Sequence, residues 1–172
     1  MAIYALGEHV PDIHPDAYIS EEAVIIGRVT IGAESTVWPN AVIRADDNFI
    51  RIGAATSIQD CAVLHVTDEY PTVVGDECTI GHLAHLEGCT IEDRALVGTG
   101  SIVLHDAVIG SLALVGAGAV VPGGLHVPAR AMALGIPAKV RENAVTDDLI
   151  LPGIEKYRAR GHHFRAELRR VG

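Results

Sequence analysis

The stretch TIEDRALVGTGSIVLHDAVIGSLALVGAGAVV, residues 90–121, carries a branched aliphatic residue at every sixth position. The series starts at Ile91 and reaches Val121 without a break. A small side chain follows four places after most of these aliphatics, as at Ala95 and Ala107. The same spacing runs through residues 13–43, 52–64 and 74–86, so it organises most of the chain.

A period of six points to one architecture. An α-helix, with about 3.6 residues per turn, does not keep residues six apart on one face, and a plain strand repeats every two. In a parallel β-helix, a short strand buries the aliphatic residue and a tight turn uses the small one before the next flat face begins. With three faces per coil, the eighteen aliphatic positions predict about six triangular coils, with loops at residues 46–51 and 67–73.

The pattern changes after Pro122. Residues 123–143 predict an irregular terminal coil that covers the open end, and helical spacing of apolar residues begins at about Pro152. We therefore predict an all-β fold in one structural domain. Residues 1–145 form the β-helix, and residues 146–172 form a C-terminal α-helix packed on it.

Composition narrows the function classes. Lys and Arg number 13 against 22 Asp and Glu, and the net charge of −9 repels a nucleic-acid backbone. The three cysteines form no CxxC pattern, and the first twenty residues do not read as a secretion signal. The apolar stretch 107–121 is too short to span a bilayer. We therefore expect a cytoplasmic protein with reduced thiols that binds neither nucleic acid nor a membrane.

Counting three six-residue steps per coil brings candidate metal ligands into one outward column. Arg44, His65 and Glu87 each follow an aliphatic of the same face, in coils about 4.8 Å apart. His85 also points outward, two residues before Glu87, in a column that is otherwise apolar. Imidazole and carboxylate ligands suit zinc or another first-row divalent ion.

Asp60 and His82 belong to the preceding corner of the coil. His82 therefore lies on a different face from His65, and one chain does not readily bring both to one ion. A symmetric homotrimer resolves this, because a neighbouring subunit presents its own His82. The apolar outward column would be buried at the same interface.

The stretches around these residues resemble the gamma-class carbonic anhydrases. The similarity covers essentially the whole chain, and its most specific parts are VIRADDN (42–48), SIQD (57–60), LHV (64–66) and GHLAHLEGC (81–89). GIPAKVR (135–141) is shared with many hexapeptide acyltransferases and supports only the fold. The resemblance implies a left-handed β-helix of the hexapeptide-repeat superfamily. It also implies a homotrimer that hydrates carbon dioxide reversibly to bicarbonate, with zinc bound between subunits. Another first-row divalent metal such as Fe or Co is the alternative to zinc.

The resemblance implies a ligand set. His65 matches one zinc ligand, and His82 matches the ligand donated by the neighbouring subunit. Glu87 stands where the family has its third histidine, so Glu87 itself or the nearby His85 would complete the set. A carboxylate ligand raises the pKa of a metal-bound water above that given by a third neutral imidazole, which would weaken catalysis.

Four further residues gain catalytic roles only through the resemblance. Arg44 matches an arginine that pairs across the interface with the acid at Asp60, and Asp46 matches a further interface acid. Gln59 matches the residue that hydrogen-bonds the metal-bound hydroxide.

Two other function classes stay open. The same fold carries acyltransferases and thioesterases that act on coenzyme A thioesters, and a fold does not by itself fix a function. A catalytically inert trimeric scaffold is the third class, and it would contain no stoichiometric metal.

Overall fold

A computed structural model describes residues 1–172 and contains a parallel β-solenoid followed by one helix. The elements, in chain order, are β1 (Ala2–Tyr4), β2 (Asp12–Ile13), β3 (Tyr18–Ile19), β4 (Val24–Ile31), β5 (Thr36–Val37), β6 (Val42–Ile52), β7 (Ser57–Ile58), β8 (Val63–His65), β9 (Thr72–Val74), β10 (Thr79–Ile80), β11 (His85–Glu87), β12 (Thr90–Ile91), β13 (Leu96–Val97), β14 (Ile102–Val103), β15 (Val108–Ile109), β16 (Leu114–Val115), β17 (Val120–Val121), β18 (His126–Val127), β19 (Met132–Leu134), β20 (Lys139–Arg141) and α1 (Asp147–Glu167).

The solenoid has three flat faces of parallel strands. Face 1 contains β1, β8, β11, β14 and β17, with the first halves of β4 and β6. Face 2 contains β2, β9, β12, β15 and β18, with the second halves of β4 and β6. Face 3 contains β3, β5, β7, β10, β13, β16 and β19. Its seven parallel rungs correspond to about seven coils.

The predicted stack of parallel coils is confirmed, but it has about one coil more than the sequence indicated. The six-residue spacing continues past Val121 to Val127 and Ala133, which are both fully buried. Residues 123–143 therefore do not form an irregular coil: β18 and β19 add regular rungs, and β20 then folds back antiparallel on β19. Val127 continues the branched series beyond Pro122, whereas Ala133 fills the following six-residue position with an unbranched side chain.

Stacked aliphatic side chains fill the interior. On face 1, Ile25, Ile43, Leu64 and Leu86 pair in register through four successive coils, and each is fully buried. They belong to a cluster of 33 buried residues. Burial of each such side chain contributes about 1.5–3 kcal/mol, so a chain with 4% aromatic residues still builds a full core.

A bulge interrupts the pairing of β4 with β6 at the corner between face 1 and face 2. Gly27 pairs with Ala45, but Val29 pairs with Ile50, so residues 46–49 project outward from the ladder. Gly27 has φ +82°, and a Cβ at this position would overlap the Ala45 carbonyl oxygen. Only glycine allows so close an approach of the two strands.

The two predicted loops are each shorter than expected. The insertion at 46–51 lies within β6 and is reduced to the bulge at 46–49, because Ile50 already returns to the core. The insertion at 67–73 becomes residues 66–71, since β9 begins at Thr72.

The helix α1 begins at Asp147, one residue after the start of the predicted C-terminal segment 146–172 and five residues before Pro152, where the apolar helical spacing begins. Thr146 is its N-cap residue, and Asp147 and Asp148 occupy the first turn, where negative charge complements the helix dipole. Pro152 lies inside the helix rather than in its first turn. No helix of the structure is both long enough and apolar enough to cross a bilayer.

The helix packs on face 3 through an aromatic cluster. Trp38 contacts Phe164 with ring centroids 5.1 Å apart, and Tyr18 lies against both rings. Gly161 is buried, and a Cβ there would overlap the Thr36 methyl group on the face below. This glycine, unfavourable in a helix interior, is explained by the close approach of the helix to the sheet.

Candidate metal centre

The register of face 1 determines where the candidate ligands lie. Leu64 pairs with Leu86, and His65 pairs directly with Glu87. Because adjacent residues on a strand point to opposite sides, the buried leucines direct both following side chains outward. His65 and Glu87 therefore project side by side from the edge of face 1 that adjoins face 2.

His65 lies between two carboxylates. Its Nε2 is 3.1 Å from Asp46 Oδ1 and forms a hydrogen bond, while its Nδ1 is 3.8 Å from Glu87 Oε2. The second oxygen of Asp46 contacts the Arg44 guanidinium. Asp46 is the first residue of the bulge at 46–49, so this departure from the ladder brings the carboxylate to His65.

His85 is closer to Glu87 than the strand spacing suggested. Its Nε2 is 3.4 Å from Glu87 Oε2, although the two residues are separated by Leu86 along β11. His85 pairs in register with Val63 and Ile102, which are each 36% exposed. In this outward column of face 1, the His85 imidazole thus lies between two apolar side chains, as predicted.

Asp60 and His82 occupy the opposite edge of face 1, in the turns that lead from face 3. His82 Nδ1 contacts Asp60 Oδ2 at 2.8 Å, and both side chains are more than 40% exposed. Gln59, the residue before Asp60, is only 3% exposed. Within one chain, Arg44 contacts Asp46 and not Asp60, so the width of face 1 separates the two groups of predicted site residues.

A cavity of about 510 Å³ opens beside His65 and Glu87. No Lys or Arg lines it, and four of its lining residues are carboxylates: Asp47, Asp68, Glu69 and Glu87. Such a lining disfavours anionic ligands.

Tyr70 and His105 complete the wall of this cavity, and neither was among the site residues predicted from the sequence. Their rings stack with centroids 5.9 Å apart. Tyr70 lies in a loop outside the six-residue repeat, so the repeat does not predict its position. The position of His105 follows from the six-residue period, because it lies two residues after Val103, which pairs with Leu86.

A larger cavity of about 640 Å³ lies away from these residues, between α1 and the corner that joins faces 2 and 3. It contains Asp76 and Asp93 but no histidine, so it lacks the imidazoles that the candidate ligand set needs. The Asp76 and Asp93 carboxylates instead accept hydrogen bonds from turn amides of neighbouring coils.

The two buried cysteines, Cys78 and Cys89, are excluded as metal ligands or nucleophiles at neutral pH. Burial raises the pKa of Cys78 and of Cys89 to about 12, so both remain thiols. Cys89 follows Glu87 by two residues, yet its side chain points into the core and is 1% exposed.

The donor atoms of one chain fit part of a metal site. Ligand atoms around a tetrahedral zinc, at bonds of about 2.0–2.1 Å, lie about 3.4 Å apart. The 3.8 Å between His65 Nδ1 and Glu87 Oε2 is close to that separation. No three histidine, cysteine, aspartate or glutamate side chains of the chain are arranged to hold an ion, and His82 lies across face 1 from the other two donors.

Known proteins share both the repeat and the full length of the solenoid. The family model for the bacterial transferase hexapeptide (six repeats) matches residues 88–123. A Methanocaldococcus jannaschii protein named "Probable carbonic anhydrase" is 42% identical over 137 residues, which cover 80% of this chain and 86% of that protein. The chain belongs to the gamma-class carbonic anhydrase-like family of hexapeptide-repeat proteins.

Members of this gamma-class family and its neighbours carry different names. The carnitine operon protein CaiE of Escherichia coli is 36% identical over 149 residues, covering 87% of this chain and 76% of CaiE. The chain spans only about half of two mitochondrial gamma carbonic anhydrases from Arabidopsis thaliana, 52% and 54% of their lengths. A hexapeptide transferase family protein from Anaplasma phagocytophilum superimposes with a TM-score of 0.90 at 33% identity, covering 95% of this chain and 98% of that one.

Proposed function

We propose that this chain is a metal-dependent lyase of the gamma carbonic anhydrase type, which hydrates carbon dioxide reversibly to bicarbonate as a cytoplasmic homotrimer. The observation that carries the proposal is the division of the donors between the two edges of face 1. His65 and Glu87 stand at one edge and His82 at the other, 17 residues after His65. In a trimer, one edge of a subunit faces the opposite edge of its neighbour, which brings the three donors together.

Zinc, or Fe or Co in its place, would lower the pKa of a bound water towards neutrality and so supply hydroxide. With the Glu87 carboxylate among the ligands, that pKa would stay above the value of about 7 that neutral imidazole ligands give. The protein contributes position and shape. His65 and Glu87 of one chain and His82 of the next hold the ion, with His85 3.4 Å from the Glu87 carboxylate as a neighbour. Glu87 is the third ligand in this proposal, because it pairs directly with His65 in the ladder.

Gln59, Asp60 and Arg44 act at the boundary between subunits. Gln59 is buried beside His82's corner and has an amide that can orient a hydroxide. Asp60 Oδ2 contacts His82, which leaves the other carboxylate oxygen for a neighbouring Arg44. An arginine–carboxylate pair of this kind fixes the register between subunits.

The acidic cavity supports a small neutral substrate over a coenzyme A thioester. Coenzyme A carries several phosphate charges, whereas the cavity beside His65 is lined by four carboxylates and by no Lys or Arg. Carbon dioxide has no charge to repel, and a bicarbonate anion leaving the site would be driven outward by the same field.

The test combines three measurements on anaerobically purified protein: mass by light scattering, metal by elemental mass spectrometry, and carbon dioxide hydration by stopped flow. Wild type is expected to be a trimer with about one divalent ion per chain. His65→Ala and His82→Ala should each lose the metal and the hydration activity. His126→Ala is the matched control, because His126 is exposed on face 2 and should leave both unchanged.

Three results would overturn the proposal. A stable monomer with full metal occupancy would remove the shared site. A metal-free trimer without hydration activity would favour the third function class, a catalytically inert trimeric scaffold. Saturable binding of an acyl-coenzyme A by metal-free protein would favour the acyltransferase class that the hexapeptide transferase neighbour represents.

A further inference from the structure

The contact between His65 and Asp46 determines which nitrogen of the His65 ring carries the hydrogen. Asp46 Oδ1 accepts a hydrogen bond from His65 Nε2 at 3.1 Å, and the side chains of both residues are at most 25% exposed. An ionised carboxylate can only accept, so the hydrogen in this contact belongs to the imidazole. In a neutral imidazole the lone pair then lies on the other nitrogen, Nδ1.

We propose that Asp46 is a positioning residue: it holds His65 in the tautomer protonated on Nε2, so that Nδ1 is the nitrogen that binds the ion. The inference rests on the proposed metal site. Carboxylates that accept from the remote nitrogen of a ligating histidine set its tautomer and orientation in many metalloproteins. Here Nδ1 faces Glu87 Oε2, the second donor from the same chain, at 3.8 Å.

The alternative tautomer fits this environment poorly. With the hydrogen on Nδ1, the Nε2 lone pair would face the Asp46 oxygen, and two acceptors would meet at 3.1 Å. The Nδ1 hydrogen would gain nothing in exchange, because 3.8 Å to Glu87 exceeds the length of a hydrogen bond.

Arg44 fixes the carboxylate in turn. Its guanidinium contacts Asp46 Oδ2, so the two oxygens of Asp46 are divided between Arg44 and His65. Asp46 belongs to the bulge, because Ala45 is the last residue paired in the ladder before it and Asp46 is the first residue beyond that pair. The insertion at this corner thus supplies the acceptor that a regular coil would lack.

A single exchange should reverse the tautomer. Arg44 only donates, so the amide oxygen of an Asp46→Asn side chain would turn to Arg44 and its NH₂ group would face His65. Nε2 would then have to accept, and the hydrogen would move to Nδ1. Asp47→Asn is the matched control, since Asp47 is the next residue of the bulge, is exposed, and removes the same charge without contacting His65.

The first measurement uses nitrogen-15 NMR of the histidines in metal-free protein. His65 is expected in the Nε2–H form in wild type and in Asp47→Asn, and in the Nδ1–H form in Asp46→Asn. An Nδ1–H tautomer in wild type, or an unchanged tautomer in Asp46→Asn, would overturn the inference. This measurement needs no metal, so it tests the tautomer of His65 even if the proposed function is wrong.

The second measurement uses cadmium-113 as the probe ion. Coupling from cadmium to His65 Nδ1 is expected in wild type, and Asp46→Asn should weaken cadmium binding about 10- to 100-fold. Coupling to Nε2, or an affinity that Asp46→Asn leaves within about twofold of Asp47→Asn, would contradict the assignment. No cadmium binding by wild type at all would instead refute the proposed metal site.

Discussion

Replacing Gly161 by alanine should separate α1 from face 3. A Cβ at this position would lie well inside the carbon–carbon contact distance of about 3.5–4.0 Å from the Thr36 methyl group. The helix must then move outward or the Thr36 side chain must leave its rotamer. Overpacking of this kind costs about 1–3 kcal/mol.

Gly153→Ala is the matched control in the same helix. No atom lies within 4 Å of the Cβ that it would add. Both substitutions gain about 1 kcal/mol of helix propensity, so this gain cancels when the two variants are compared. Gly161→Ala should therefore be less stable than Gly153→Ala by about 1–3 kcal/mol, and its melting temperature should be lower by about 2–4 °C for each kcal/mol.

Trp38 provides the assay, because it is the only tryptophan and packs against Phe164 and Tyr157 of the helix. Its fluorescence should shift toward that of an exposed indole in Gly161→Ala and stay unchanged in Gly153→Ala. Thr36→Ser supplies a rescue: it deletes the methyl group but keeps the hydroxyl that Trp38 Nε1 donates to at 3.0 Å. The reasoning is refuted if Gly161→Ala and Gly153→Ala melt together, or if Thr36→Ser fails to recover the loss in a double variant.

Three further predictions concern the third ligand and the cysteines. Glu87→Gln should lose the metal, whereas His85→Ala should keep most of it; the reverse order would make His85 the ligand. Glu87→His should keep or raise both the metal content and the carbon dioxide hydration activity, because it restores a third imidazole. The free energy of unfolding should fall as pH rises above about 8.5 and continue to fall toward pH 12, because unfolded thiols ionise near 8.5 whereas Cys78 and Cys89 do so at about 12. The slope is about 1.4 kcal/mol per pH unit for each thiol, and urea midpoints of a Cys78→Ala, Cys89→Ala double variant should lack this part of it. Iodoacetamide at pH 8 should modify only the exposed Cys61 in the folded protein, and rapid labelling of all three cysteines would contradict the burial.

The sequence predicted the solenoid because the six-residue period is a direct record of the coil. Each aliphatic position corresponds to one rung, fully buried except at Ile13 and Ile19, so the register of Leu64 with Leu86 followed from counting. The branched series in fact runs on to Val127 and ends there, because the next rung is filled by the unbranched Ala133. The helical spacing of apolar residues missed the start of α1, where the acidic first turn rather than Pro152 marks the beginning.

The candidate site was predictable only where it lies on the ladder. His65 and Glu87 follow from the period, and His82 follows from the corner. The contact of Asp46 with His65 did not follow, because it depends on the path of a four-residue bulge that no period describes. The position of Tyr70 in the cavity has the same cause.

The width of face 1 between His65 and His82 has a genetic consequence. In the proposed trimer, a chain with His65→Ala still offers an intact His82, and a chain with His82→Ala still offers an intact His65. A trimer of either variant alone has no complete metal site. A trimer that contains both variants has one subunit boundary at which an intact His65 meets an intact His82. Random assembly from equal amounts of both should thus recover about one quarter of the wild-type centres, so two defective alleles in one cell would complement each other.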